Sequence, residues 1–474
     1  MISDGLIVVV KRECETCVAV VPVIQHLAGL ETVSVYSQDD AGFPDGVGVI
    51  DDTELETSYH LEIETVPTVI RMVGGVETQR VVGWHRERWE AVTGHPGLGE
   101  GLPPMRPGCG SKTLDFGVPE KLAAKFGGSL ISSRRIEFAS LEDEFEAMFS
   151  RGFTDGLPVV PPTPERVLRM LAGTTRAPSD VVCIAPPDLV ECTVEKIAIN
   201  AVMAGCLPEY LPVVIAALEA ACTDEFNIHG VLATTMPVGP VIIVNGPIAK
   251  QIGMNSGGNL FGQGNRANLT IGRAVQLVIR NVGGGKPGGV DRATHGNPGK
   301  LSFCFAEAED TSPWTPLSVQ MGKPEGVSTV TVFAGEGPRC AVDQASREPV
   351  SLTKSLAACL RTVHHPKLPM AFDAILVLGP EHARVYSEAG WDRNQVLAAI
   401  HAELQLNSDD IIKGAGGIAE GIDPKLAGIV LPKFRPGGIL LVHAGGTAGL
   451  FSAIIAGWAN GAVGSEPSIR EVTP

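Results

Sequence analysis

The chain has 474 residues, 44% of them hydrophobic and 5% aromatic, with a formal net charge of −16. That length leaves room for a first unit of about a hundred residues and a second, larger core. The acidic balance, without a basic run or a stretch interleaving aromatics with arginine, excludes the electrostatic footprint of a nucleic-acid binder or of a protein held on an anionic membrane surface.

From the start, Met1-Ile2-Ser3-Asp4 carries no basic leader, and no apolar stretch reaches about 18 residues. A cytoplasmic location is therefore expected, where the ten cysteines are mostly reduced thiols. The apolar run Leu6-Ile7-Val8-Val9-Val10 reads as a strand, and Cys14-Glu15-Thr16-Cys17 follows it directly. A strand that delivers C-x-x-C onto a helix N-terminus suits thiol chemistry, because the helix dipole and the free N–H groups there stabilise a thiolate. The next helix spans Val18 to Leu30, with Pro22 inside it. A strand at Thr32–Tyr36, a short helix over Asp52–Leu61, strands at Thr68–Met72 and Val76–Val82 around Gly74-Gly75, and a helix over His85–Thr93 complete a β-α-β-α-β-β-α order.

These residues resemble the thioredoxin superfamily in its minimal form over residues 4–94. The matching positions are Cys14, Cys17, the helix-kinking Pro22, Gly83 before the last helix, and Pro67 of Val66-Pro67-Thr68, where the family carries a cis-proline. The resemblance implies a redox-active dithiol, with Cys14 attacking and Cys17 resolving. Cys14 is expected to be the more exposed of the two, being nearer the helix N-terminus. Glu13 stands where the family has Trp, Glu15-Thr16 replaces Gly-Pro, and Val8 replaces a buried acid. A carboxylate beside Cys14 should disfavour its thiolate, with Lys11 and Arg12 partly offsetting it. A zinc knuckle is the alternative, but no second C-x-x-C and no His-x-x-x-His pair supplies further ligands.

The stretch 95–131 opens on GHPGLGEGLPPMRPGCG from Gly94 and reads as a Gly/Pro-rich linker. Cys109 lies within it as an incidental thiol or a relay between units. Residues 132–474 read as a large α/β domain with a mixed sheet and Gly-rich strand-end loops. Helices are expected at Ser140–Ser150, Thr193–Ala204 and Leu211–Ala221. Strands are expected at Val241–Val244, Ser328–Phe333, Ala374–Leu378 and Gly438–His443, followed by an apolar helix over Leu450–Trp458.

Three loops there concentrate polar chemistry. Asn255-Ser256-Gly257-Gly258 runs into a Gly-rich segment and a helix carrying Arg266, Asn268 and Arg273, which suits a carboxylate or phosphate. Gly262-x-Gly264-x-x-Ala267 is not a dinucleotide fingerprint, because the strand ends too early and no acid follows at the needed spacing. Glu381-His382 and His443 each sit where a strand ends, with His382 in reach of acid–base work. Cys183, Cys222 and Cys359 lie in apolar contexts and read as core, Cys192 precedes a helix, and Cys206 and then Cys304 are the nucleophile candidates. The phrases TDGLPVVPPT, TVEKIAINAVMAGC, NSGGNLFGQGNRAN and LGPEHA resemble a UGSC-like bacterial family with selenocysteine or cysteine relatives, over about residues 140–460. That resemblance implies soft-nucleophile or redox chemistry, although Cys109-Gly110-Ser111-Lys112 stands where the group would show Cys-Gly-Ser-Cys.

The expectation is a thiol-dependent enzyme, an oxidoreductase or lyase. In it the Cys14/Cys17 dithiol supplies electrons or a thiol to a large domain acting on a small anionic substrate. No further cofactor or metal is required. An external thiol reductant is the implied partner, and homo-oligomerisation is left open. Soft-metal or organomercurial handling, and a non-enzymatic redox-sensing role, are the alternatives.

Overall fold

An unbroken aliphatic run such as Leu6–Val10 has no polar face to offer water, so it folds as an inner strand covered on both sides. The computed structural model describes residues 4–115, 117–128, 131–134, 136 and 143–474. Two units are present: Met1–Ser132 with Pro164–Leu168, and Ser133–Thr163 with Arg169–Pro474.

In the first unit the elements are β1 (Gly5–Val10), α1 (Glu15–Ala19), α2 (Val21–Ala28), β2 (Val33–Ser37), β3 (Val49–Asp51), α3 (Glu56–His60), β4 (Thr65–Val66), β5 (Thr68–Val73), β6 (Val76–Val82), β7 (Trp84–His85) and α4 (Arg86–Thr93). The expected order is present, with β3 added as an edge strand. The sheet order is β3-β2-β1-β5-β6. Strand β1 runs parallel to β2 and antiparallel to β5, and Leu6 to Val10 are all buried. The helix expected over Val18–Leu30 is two helices that meet at Val20, with Pro22 in the first turn of α2. Proline has no N–H to continue the preceding ladder.

The stretch expected to be a linker is instead folded into this unit. Strand β8 (Met105–Arg106) pairs with β7, and β9 (Cys109–Gly110) pairs antiparallel with β4. Leu98 is buried in the same core, and Leu102 and Cys109 pack on it. The Trp84 indole N–H donates to the Pro103 carbonyl at 2.7 Å. Helix α5 (Val118–Phe126) closes the unit.

The second unit opens with α6 (Glu144–Ser150); Ser140 to Glu142, the expected start of that helix, lie outside the described residues. Helix α7 (Pro164–Leu171) begins as the Pro164–Leu168 piece of the first unit; the second unit continues with the hairpin β10 (Val181–Ala185) and β11 (Val190–Thr193), α8 (Val194–Ala204), α9 (Leu211–Ala221) and α10 (Ile228–Ala233). Next are β12 (Gly239–Asn245), α11 (Pro247–Gln251), α12 (Arg266–Asn281), β13 (Cys304–Ala306), α13 (Leu317–Gln320), β14 (Thr329–Gly335) and β15 (Arg339–Val342). The chain continues through α14 (Pro349–Arg361), β16 (Phe372–Leu378), α15 (Pro380–Glu388), α16 (Arg393–Glu403), β17 (Gln405–Asn407), α17 (Ser408–Ile411) and β18 (Val430–Pro432). It ends with β19 (Ile439–His443), β20 (Phe451–Ala459) and β21 (Ser468–Glu471).

Eight of these strands form one mixed sheet, in which β14 meets β20 at a single pair, Gly335↔Gly457. Around that joint the two halves share a core of Val241, Ile243 and Phe333 against Ile375, Val377, Val442 and Ile455. A Cβ on Gly457 would stand 2.6 Å from the Phe333 ring and 2.8 Å from the Asp373 carbonyl, so the crossing requires glycine. The outer face of the β16/β19/β20 half packs on Leu352, Leu356, Tyr386 and Val396 of α14 to α16. Leu450–Trp458, expected as a helix, is strand β20, paired with β15 on one side and β16 on the other. A short apolar run carries no period that separates helix from strand, and sheet neighbours decide it. Among the described residues no helix is long and apolar enough to cross a membrane.

Candidate functional site: a covered three-thiol centre

Cys14 is the N-cap of α1, and its sulfur accepts the Cys17 backbone N–H at 3.3 Å. This places the sulfur where a helix start offers unpaired donors. Pro67 follows a cis Val66–Pro67 bond, and the Cys14 sulfur lies 3.4 Å from the Val66 carbonyl oxygen. The Cys17 side chain donates to Cys14, Cys109 does the same, and the N–H groups of Cys17 and Thr16 add to them. Together they outweigh burial and bring the Cys14 pKa down to about 5. Cys17 is pushed strongly up, by burial first and then by its donation to Cys14. Cys109 is raised by burial and by the same proximity to Cys14. One sulfur is thus held as the thiolate while two neighbours keep their protons, the arrangement a nucleophile and its resolving thiols need.

The expected exposure of Cys14 is overturned: both Cys14 and Cys17 are fully buried. The cover is the segment Met105–Thr113, a strap laid across the dithiol. Val66 faces Cys109 and Thr65 faces Gly110 in the β4/β9 pair. The Thr16 hydroxyl donates to the Pro107 carbonyl at 2.7 Å, and Lys11 Nζ donates to the Gly110 carbonyl at 2.7 Å. Beyond the thiol, Ser111 N donates to Glu64 O at 2.9 Å and Thr113 Oγ1 to Ile63 O at 2.5 Å. Gly108 permits the close approach, since a Cβ there would lie 2.5 Å from Thr65 Cγ2 and 2.7 Å from Val66 O.

The strap also answers the two acids flanking Cys14. Arg106 pairs with Glu15 at 2.6 Å and Lys112 with Glu13 at 3.0 Å. The carboxylates expected to oppose the thiolate are therefore charge-compensated, and Arg12 is committed to Asp40 instead. Sequence reasoning missed this because Arg106 lies 91 residues from Glu15 and Lys112 lies 99 residues from Glu13 along the chain.

In the second unit the expected loops do meet. The Gly445 N–H donates to the Ser256 carbonyl at 2.9 Å. A Cβ on Gly446 would lie 3.2 Å from Gly258, and one on Gly445 would lie 3.7 Å from Pro380. The side chains assigned to the loops are otherwise engaged. Arg273 forms a two-point pair with Asp155, 2.8 Å on each contact, and Arg266 Nε donates to the Gly205 carbonyl at 2.9 Å. Asn255 and Asn268 bond to each other, with the Asn255 N–H on Asn268 Oδ1 at 3.0 Å and Asn268 Nδ2 on the Asn255 carbonyl at 2.9 Å. Glu381 accepts from the Gly449 N–H at 3.4 Å. His382 is buried, with Nδ1 2.8 Å from Ser452 Oγ and Nε2 3.1 Å from the Asp343 carbonyl, so it is a framework residue rather than an acid–base group. His443 is also buried and its pKa is lowered by that burial.

Cys206 and Cys304 belong to the packed interior. Cys206 donates to the Thr270 carbonyl at 3.3 Å, and burial pushes it up to about 12 although Arg266 pulls the other way. Burial raises Cys304 further. Neither is a thiolate near neutral pH, which removes the physical case for a nucleophile at either place.

A buried polar knot beside His443 was not anticipated. Arg393 lies 3.3 Å from Glu307, and both are buried. Glu307 also accepts from Asn245 Nδ2 and from the Leu317 N–H, each at 2.7 Å. Among the described residues, Asn245 Oδ1 and Arg393 Nε have no hydrogen-bond partner. Each residue stands alone in sequence, so no spacing announces the knot. No group of three or more His, Cys, Asp or Glu side chains among the described residues is placed to hold a metal ion. Comparison of the chain with family models, with curated proteins and with solved structures gives no match.

Proposed function

We propose that the first unit is a thiol–disulfide oxidoreductase in which Cys14 is the attacking sulfur, Cys17 its resolving thiol and Cys109 a built-in relay. One observation carries the reading: a single thiolate at a helix N-terminus, flanked by two protonated thiols, lies beside a backbone edge that already pairs with an extended segment. The similarity to the thioredoxin superfamily in Cys14, Cys17 and Pro67 points the same way. In this reading the Cys14 thiolate attacks a substrate disulfide and releases one thiolate. Cys17 then gives up its proton and attacks Cys14, releasing the second substrate thiol and leaving a Cys14–Cys17 disulfide. Two electrons pass to the substrate, and an external thiol restores the dithiol. The strap takes the place an extended substrate would take by pairing with β4, so Cys109 is the first partner Cys14 meets.

In the second unit we propose a small-molecule site where the loops at 255–258, 379–382 and 443–446 meet, with backbone N–H groups rather than Arg266 or Arg273 as the anion donors. Electron supply from the first unit to chemistry there remains part of the proposal, without Cys206 or Cys304 as its sulfur.

The test is reduction of a disulfide-bonded peptide by the full chain with a thiol reductant. Cys14→Ser is expected to abolish turnover, and Cys17→Ser to accumulate a mixed disulfide on Cys14 visible by mass. Limited oxidation of the native chain should give a Cys14–Cys109 cross-link alongside Cys14–Cys17. Undiminished turnover by Cys14→Ser would sink the assignment.

A further inference from the structure

Three further cysteines, read singly as core or as residues flanking a helix, come together in the second unit. Cys183 of β10 and Cys192 of β11 are direct partners across the antiparallel hairpin. Residues so paired have Cα atoms about 4.5–5.5 Å apart, inside the roughly 4.4–6.8 Å window that a disulfide spans. Cys222 is the C-cap of α9, a helix packed against β10, the strand that carries Cys183. Cys183 is the hub, in thiol–thiol hydrogen-bonding reach of both others. Access differs among them: Cys183 and Cys222 are half-buried and Cys192 is fully buried.

We infer that Cys183, Cys192 and Cys222 form a second redox centre, in which Cys183 is the entry sulfur and closes a disulfide with Cys192 or, alternatively, with Cys222. The electrostatics agree with the geometry. Hydrogen bonds from Cys192 and then Cys222 bring the Cys183 pKa to about 4 against the cost of burial. Cys192 and Cys222 are raised, chiefly by their donation to Cys183 and by burial, so they hold their protons until a leaving group needs one.

The oxidant class that fits is a small dialkyl disulfide, since the attacking sulfur of Cys183 is only half-buried while its partner Cys192 is fully buried. Cys183 attacks one sulfur of the disulfide, forms a mixed disulfide and releases one alkyl thiolate. The Cys192 thiol passes its proton to that thiolate and attacks the Cys183 sulfur, expelling the second alkyl thiolate. The protein loses two electrons, the small disulfide gains two, and one intramolecular disulfide forms. Cys222 can take the place of Cys192 in the second step without any change in the balance.

The test uses the full chain and glutathione disulfide as the probe, with thiol alkylation and peptide mapping by mass. Cys183 and Cys192 fall within one tryptic peptide, Ala177–Lys196, so their disulfide appears as the loss of two hydrogens with no alkyl group added. The native chain is expected to show this species, or a cross-link from that peptide to the one bearing Cys222, while Cys206 and Cys304 stay reduced. Cys192→Ser should move the disulfide to Cys222, and Cys183→Ser should abolish both forms with an unchanged circular-dichroism spectrum. The inference is overturned if Cys183 stays a thiol, or halts as its glutathione adduct, under conditions that modify the exposed Cys340 completely. Stoichiometric capture of copper(I) by the three sulfurs, with no disulfide formed under oxidant, also overturns it. The mapping of the native chain stands whether or not a variant folds, and it reads these residues independently of Cys14, Cys17 and Cys109.

Discussion

Cys14 is held as an anion by contacts that exist only in the folded chain, so its protonation and the stability of its unit are linked. Its folded pKa, about 5, lies below the ordinary 9.0. A depressed pKa contributes stability that is complete above the unfolded value and is lost as pH falls through the folded one. The window therefore runs from about pH 9 down to about pH 5. Thiolate absorbance near 240 nm should titrate with a midpoint close to 5 in the native chain and lose that component in Cys14→Ser; a midpoint above 8 would refute the electrostatic account. The Arg393–Glu307 pair gives a second expectation at this scale. Both partners are buried, and removing one leaves a charge without compensation. Arg393→Met should cost about 3–5 kcal/mol in denaturant unfolding. Adding Glu307→Gln to that variant should recover part of the loss. A cost for Arg393→Met below about 1 kcal/mol, the level of a surface pair, would show that the knot is solvated.

Among the elements, the strap Met105–Thr113 sets how the first centre is reached. It is anchored by strand pairing at β9 and by ion pairs at Arg106 and Lys112, and Gly108 is its point of closest approach. Gly108→Val places side-chain atoms on Thr65 and Val66, an overpacking expected to cost about 1–3 kcal/mol. Losing about 1.4 kcal/mol of closure would raise the population of the open form, and with it the rate of Cys14 alkylation, roughly tenfold. If the alkylation rate is unchanged, the strap is not what shields Cys14. The same segment shows where legibility ended. Strand β1, C-x-x-C and Pro67 were readable because strand pattern, thiol spacing and proline are local signals. The strap was not, because its Gly/Pro density reads as a connector while its pairing depends on β4 and β7, distant in sequence. Strand β20 failed for the opposite reason: FSAIIAGWA is apolar enough for either structure, and its two neighbouring strands settle which.

At the scale of the whole molecule, the α/β character and the larger second unit were legible from length and from the alternation of apolar runs with helical periods. The three Gly-rich loops were also legible as concentrations of polar chemistry, and in the fold they meet. The second thiol cluster was not, because residues 183, 192 and 222 have nothing in their spacing that brings them together until the β10/β11 hairpin and α9 form. Where the first unit stops has a direct consequence. A chain ending at Gly94 would forfeit the buried Leu98, the packing of Leu102 and Cys109, and the Pro103 carbonyl that satisfies Trp84. Burying a single large aliphatic side chain contributes about 1.5–3 kcal/mol. For a domain of this size, about 1 kcal/mol moves Tm by roughly 4–8 °C. Residues 4–94 alone should therefore melt at least about 10 °C below residues 4–132, or show no cooperative transition. Limited proteolysis of the full chain should leave Gly94–Gly110 intact while cutting elsewhere. Equal melting of the two fragments, or first cleavage inside that stretch, would restore it to the role of a connector and leave the Cys14 centre uncovered.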